Sequence, residues 1–416
     1  MSHQKIGFWS LISVVIGSQI GSGILILPAN LAPYGLFAVA GWVLSSIGAI
    51  ALSLVFAQLA SKMPQTGGPH VYVSQAFGKR VGFYTGWTYW TVSWVSSTAV
   101  VVASIGYLDP LIGPLSSTQT LLLQFILLWA VIGLNLLGVH MAGRTEFFLT
   151  LLKIVPFIIL PALAFMHFNS SNISMSSEVQ SLPLAKILSQ VVLLTLWGFI
   201  GLETGTTPAG HVHHAAKTIP RAVIIGTSIV ALVYCINSFS ILGVVPSDEL
   251  AGSKAPFATM TQHLLGGDWY LVISAIASLL CIGSLNAWSL TSGQIALGLA
   301  EDQLIPRFLG RLNRHHAPYV ALLISAVGIM PLLIITTHTS LAAQLALIID
   351  FSVTAFLFVY LISTLAFLKQ ASGLWQWSYG LVALVFCSWI LIETDLATLL
   401  VASLFTLSGL LIKLFK

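Results

Sequence analysis

The sequence predicts an all-α membrane protein with twelve transmembrane helices. The first ten form a five-plus-five inverted repeat with helices 1 and 6 broken, and two extra C-terminal helices follow. Three observations lead there. Only 7% of the 416 residues are charged and 57% are hydrophobic, a balance foreign to soluble domains. Apolar stretches of about 20 residues recur along the whole chain. Two of those stretches break at the same place: Ile20-Gly21-Ser22-Gly23 with Pro28-Ala29, and Ile200-Gly201-Leu202-Glu203 with Pro208-Ala209.

Taken in order, the candidate spans cover 8–31, 36–61, 80–106, 119–140, 146–167, 187–210, 220–245, 268–299, 318–336, 341–368, 374–392 and 396–414. Pro28, Pro220, Pro306 and Pro318 are expected at span ends or beginnings. The first segment is too long and Gly-rich for a cleaved signal peptide. No long polar block suggests an appended soluble domain. Cys235, Cys281 and Cys387 all lie in apolar segments, and an odd, scattered set argues for packing over disulfides or metal. The formal net charge of +4 gives no sign of nucleic-acid binding.

The placement of charge supports the count of twelve. One side of the membrane receives Lys5, Lys62, Lys79, Arg80, Arg144, Lys217, Arg221, Arg307, Arg311, Arg314, Lys369, Lys413 and Lys416. The other receives only Lys186 and Lys254, and collects Asp109, Glu178, Asp248, Glu249, Asp268, Glu393 and Asp395. Basic loops stay cytoplasmic, so both termini are expected there. Trp375 and Trp377 fall at a span edge, as interfacial aromatics do. Span 1 then runs outward and span 6 inward. The two breaks are antiparallel, as in a repeat of residues 1–167 against 187–368, with 374–416 outside it.

A helix interrupted in mid-membrane leaves backbone polar groups that are tolerated only where they line a site. The half-helix after Gly23 offers unpaired N–H groups and a positive dipole end, and Ser22 adds a hydroxyl; these suit a carboxylate. The half-helix ending near Trp197–Ile200 offers carbonyls, which suit an ammonium. Together they describe the head of an amino acid. The glycines could instead serve close helix packing alone.

These motifs resemble the amino acid–polyamine–organocation superfamily. Gly21-Ser22-Gly23-Ile24 with Leu27-Pro28-Ala29 is similar to its span 1 signature, and Trp197-Gly198-Phe199-Ile200-Gly201-Leu202-Glu203 to that of span 6. Gly67-Gly68-Pro69, Thr88-Tyr89-Trp90 and Gly283-Ser284-Leu285-Asn286-Ala287-Trp288 extend the likeness through nearly the whole chain. The motifs lie nearest to the bacterial arginine/agmatine and basic amino acid/polyamine antiporters. The resemblance implies alternating access in a bacterial inner membrane, without a cofactor. It implies that Ser22 and the Gly23 amide hold the substrate carboxylate, and that carbonyls of Ile20, Trp197 and Ile200 hold the amine. Trp197 would close over the substrate, Trp288 would form a wall and Tyr89 would belong to the gating layer. Ser93, Ser97 and Ser352 fall where relatives contact the substrate side chain.

Some positions depart from that pattern. Ser97 replaces an asparagine that engages the guanidinium in the arginine antiporter. Lys153 lies in span 5, where several sodium-independent relatives place an ammonium in the role of a sodium ion; it could also snorkel to the interface. Asp350 is an intramembrane carboxylate that could attract a cationic side chain, pair with Lys153 or face a wet cavity. Glu203 matches a glutamate linked to proton or pH sensing. Burial disfavours its charged form, which suits a proton carrier, and a structural hydrogen bond is the other reading. His211, His213 and His214 cluster where a solvated interface is expected, so no metal site is assigned.

A channel would need a filter loop or polar pore lining, and a membrane enzyme a convergent catalytic set; neither pattern is present in the sequence. The expectation is therefore an antiporter of amino acids, cationic ones and amines first, with small neutral amino acids as the alternative. Its partners are that small substrate and the bilayer, with a second copy of the chain as a further candidate.

Overall fold

The computed structural model describes residues 5–253, 255–336 and 341–413, and for 341–347 and 413 the backbone alone. Lys254, Lys416 and the Lys413 side chain thus lie outside the described residues. The described chain is helical, with three isolated bridges and no strand. Eleven helical segments are long and apolar enough to cross a membrane, and a shorter apolar stretch, Leu396–Ile412, supplies the twelfth.

Span 1 is two helices, α1 (Phe8–Gln19) and α2 (Ser22–Leu31), separated at Ile20-Gly21. Span 2 is α3 (Phe37–Lys62), and a short α4 (Pro69–Phe77) leads into span 3, α5 (Lys79–Gly106). Spans 4 and 5 are α6 (Ser117–Asn135) and α7 (Val139–Met166). Span 6 opens as α8 (Leu184–Leu196), then tightens into a 3₁₀ turn at Trp197–Phe199 before breaking. Span 7 is α9 (Ala215–Val244), a short α10 (Pro256–Leu265) follows, and span 8 is α11 (Trp269–Glu301). The last four are α12 (Tyr319–Thr336), α13 (Leu341–Leu368), α14 (Leu374–Glu393) and α15 (Leu396–Leu407).

Helix α3 packs along α9, and α5 along α11. These are spans 2 with 7 and 3 with 8, the pairs that an inverted repeat relates. The outer surface is apolar: on α7 alone Phe148, Leu151, Leu152, Val155, Ile158 and Ile159 are exposed. In water such a belt would drive aggregation, whereas in a bilayer it meets acyl chains.

Several boundaries differ from those expected. Span 5 begins at Val139, seven residues before position 146, because Arg144 is a helical residue and not a loop residue. Pro28 and Pro220 lie inside their helices. Each proline withholds one N–H from its helix; Pro220 is only the sixth residue of α9, and Pro28 belongs to the short second half of span 1. The twelfth helix is divided at Ser408.

Candidate functional site

The first break is a junction of capped carbonyls. The last C=O groups of α1 have no N–H further along their own helix to accept. Side chains from three other spans supply donors instead. Lys153 Nζ of α7 reaches the Gly17 carbonyl at 3.0 Å. Trp288 Nε1 of α11 donates to the Ser18 carbonyl at 3.1 Å, and the Tyr234 hydroxyl of α9 donates to the Gln19 carbonyl at 2.6 Å. Beyond Ile20, Gly21 brings the backbone so close to α11 that an added Cβ would lie 2.6 Å from Ser284 Oγ. Helix α2 then starts at Ser22 with its first N–H groups unpaired within the helix.

The second break turns on Gly201, whose φ of +108° is open to glycine. Ile200 before it is extended, with ψ 128°. The Gly201 N–H donates to Tyr360 Oη at 3.3 Å. After Glu203 the chain does not resume an α-helix but passes through 3₁₀ turns at Thr204–Thr206 and Ala209–His211. Trp42, Phe199 and Tyr234 pack ring against ring behind the Trp197–Phe199 turn, with centroids 4.5–6.0 Å apart, and hold it in place.

The two breaks touch. Ser18 Oγ lies 3.0 Å from the Gly201 carbonyl and 2.9 Å from Thr204 Oγ1. Between them is a cavity of about 20 Å³, lined by Ser18, Gln19, Gly21–Gly23, Ser96, Val100, Trp197, Ile200, Ser284 and Trp288. That is room for about one water molecule, so the two breaks are closed on each other in this structure. The Trp197 ring lies over the start of α2: a Cβ at Gly23 would be 3.1 Å from its Cδ1. Trp288 closes another side and packs on Phe356 at 5.2 Å.

Two buried carboxylates lie beside the breaks, outside the cavity wall. Glu203 is inaccessible to solvent; its Oε2 accepts the Tyr360 hydroxyl at 2.5 Å, while its Oε1 has no partner within hydrogen-bond geometry. Tyr89 is also buried and interacts with Glu203, its hydroxyl falling outside strict hydrogen-bond geometry. Glu146, on α7, accepts Lys153 Nζ at 3.2 Å through Oε1 and Asn286 Nδ2 at 2.8 Å through Oε2. Among the described residues no group of three or more His, Cys, Asp or Glu is arranged to hold a metal ion.

This geometry agrees with the comparisons to known proteins. The amino acid permease family model matches residues 6–410. The cadaverine/lysine antiporter of Escherichia coli K12 is 31% identical over 340 residues, covering 81% of this chain and 76% of its own. A putrescine transporter of Haemophilus influenzae is 30% identical over 87% of this chain and 83% of its own. A putative arginine/ornithine antiporter of Bacillus subtilis is 27% identical over 88% and 84%. The chain belongs to the amino acid permease family.

In this permease Ser22, Gly23, Trp197, Ile200 and Trp288 all line the cavity, and Ile20 sits at the break itself. Ser93 and Ser97 do not line it. Their hydroxyls turn back onto their own helix, to the Trp90 and Ser93 carbonyls at 2.6 and 2.8 Å, and Ser96 and Val100 face the cavity in their place. Ser352 is buried with its hydroxyl unpartnered, outside the cavity wall. Asp350 is exposed and lies near Asp395, far in chain and contact from Lys153, whose partner is Glu146. Lys153 is fully buried at the middle of a 28-residue helix, so it does not snorkel. His211 and His213 use their backbones to bridge Ile6.

Ser18, Ser96, Ser284, Tyr360 and Glu146 were not singled out by sequence reasoning. Ser284 lies inside the Gly283–Trp288 motif, and Ser18 lies in the last turn of α1 before the break. Glu146 stood at the expected first residue of span 5, where a carboxylate reads as interfacial.

Proposed function

We propose that the chain is a secondary carrier that exchanges amino acids and amines across a bacterial inner membrane by alternating access. The carrying observation is the single cavity walled by both breaks, with the amide end of α2 at Ser22–Gly23 on one side and the Trp197–Ile200 turn on the other. In this reading Ser22 and the Gly23 amide hold the substrate carboxylate. Carbonyls of Ile20, Trp197 and Ile200 hold its ammonium, against the negative end of the half-helix. Trp197 is the lid, Trp288 a wall, and Tyr89 part of the gate beneath. Glu203 carries a proton, and Lys153 stands in for a sodium ion. Spans 1–5 and 6–10 move against each other, and the separation of Lys and Arg in the sequence favours cytoplasmic termini.

The substrates named for the relatives carry a second amino group or a guanidinium, and the indole faces of Trp197 and Trp288 suit such a cation. One observation favours the second reading, small neutral amino acids: the polar groups of the cavity wall are Ser18, Gln19, Ser22, Ser96 and Ser284, with no carboxylate among them.

Counterflow in proteoliposomes tests both. Vesicles loaded with unlabelled lysine, arginine, putrescine, alanine or serine are offered the labelled compound. Trans-stimulated uptake of the basic compounds is expected. Flux without trans-stimulation by any of them overturns the exchanger, and stimulation by alanine and serine alone replaces the substrate class.

A further inference from the structure

The ammonium of Lys153 is enclosed completely. Its Nζ touches the Gly17 carbonyl and Glu146 Oε1, at 3.0 and 3.2 Å. Glu146 is equally buried, and each of its oxygens is engaged: Oε1 also accepts Thr150 Oγ1 at 3.3 Å, and Oε2 accepts Asn286 at 2.8 Å. Asn286 is held in turn by the Asn135 amide, 3.0 Å from its Oδ1, and donates to the Ala142 carbonyl at 3.1 Å. The helices are shaped to the pair. A Cβ at Gly17 would collide with the Glu146 carboxylate, and one at Gly283 would lie 2.6 Å from Lys153 Cε. Four spans (1, 4, 5 and 8) thus close around one acid and one base. Besides Glu146, the titratable group that acts on Lys153 is Cys281 of α11; α1 presents backbone only.

We infer that Glu146 is a positioning residue for transport: it holds Lys153 as an ammonium through the cycle, clamped on the carbonyl end of α1, and Asn286 fixes it there. The inference rests on the carrier reading for its functional part. A buried ion pair gains little over an apolar pair of the same shape, but removing one partner strands the other charge. The pair is therefore retained for what the charge does at the break. Lys153 alone could lose its proton to escape burial; beside Glu146 it need not.

The test compares wild type with E146Q, E146D and the double variant E146Q/K153Q, each purified and reconstituted. E146Q leaves the Lys153 charge buried without its counter-charge. The substrate-free protein should melt several degrees below wild type, and its maximal exchange rate should fall by at least about tenfold with KM little changed, since Glu146 does not line the cavity. E146D should recover part of both the melting temperature and the rate. The double variant, which strands no charge, should melt closer to wild type than E146Q does but exchange no faster. An E146Q that melts and exchanges as wild type overturns the inference, as does a double variant that exchanges at the wild-type rate. If E146Q does not fold, the double variant, which leaves no stranded charge, is expected to fold; equal instability of the two overturns the pairing. Melting without substrate reads the pair even if the proposed substrates are wrong, so the two failures are separable.

Discussion

The hydroxyl of Ser18 meets the carbonyl of Gly201 at 3.0 Å, joining the broken part of span 1 to the broken part of span 6 directly. The same serine offers its own carbonyl to Trp288. One residue thus links both breaks and the cavity wall. Ser18→Ala should cost about 1 kcal/mol of stability, the usual net worth of such a bond, since Gly201 O also accepts from Thr204. Exchange should slow more than this loss alone implies, because the breaks no longer move as one. Thermal melting beside counterflow rates checks it; an unaltered rate with lowered stability would reduce Ser18 to a packing residue.

Ser22→Leu places four apolar carbons where a carboxylate is proposed to bind, in a cavity of only about 20 Å³. Affinity should fall by at least about a hundredfold, roughly 2.8 kcal/mol, whatever the substrate. A substrate-dependent thermal shift measures this, since ligand binding to the folded state raises apparent stability. Retained affinity rules out the carboxylate assignment.

Lys153 Nζ lies on the Gly17 carbonyl, the contact on which its proposed role in place of a sodium ion rests. Exchange should proceed equally in sodium and in choline buffers. A sodium requirement in reconstituted vesicles would remove the role proposed for this lysine.

Asp350 is exposed beside Asp395 and does not line the cavity. Asp350→Asn should leave the KM for lysine or putrescine unchanged. A marked rise in KM for the basic substrates, with none for neutral ones, would bring Asp350 back as a specificity residue.

The spans and both breaks were legible in the sequence because bilayer thickness and backbone satisfaction leave few alternatives. Ile20-Gly21 and Ile200-Gly201 could be read from the residues alone. Helix phase could not. Neighbouring helical residues point about 100° apart, and the residues alone do not show that Ser96 faces the cavity while the Ser97 hydroxyl turns back to the Ser93 carbonyl. The start of span 5 was misplaced for a different reason. Charges are ordinarily excluded from spans, which set the start after Arg144, and nothing local shows that Glu146 will be paired with Lys153 two turns along the same face and with Asn286 from span 8. Such pairing is a tertiary fact. The course of span 6 beyond Glu203 was equally hidden, since its 3₁₀ turns pack on α1 and α9 and carry no propensity signal.

The chain near its start is stitched to the far end of span 6. Ile6 N–H donates to the His211 carbonyl at 2.8 Å, and His213 N–H donates back to Ile6 at 3.1 Å. A probe attached at Lys5, which is exposed, adjoins that stitch, and its spectroscopic distance to a label on α14 would report the working stroke of the carrier from outside the substrate path.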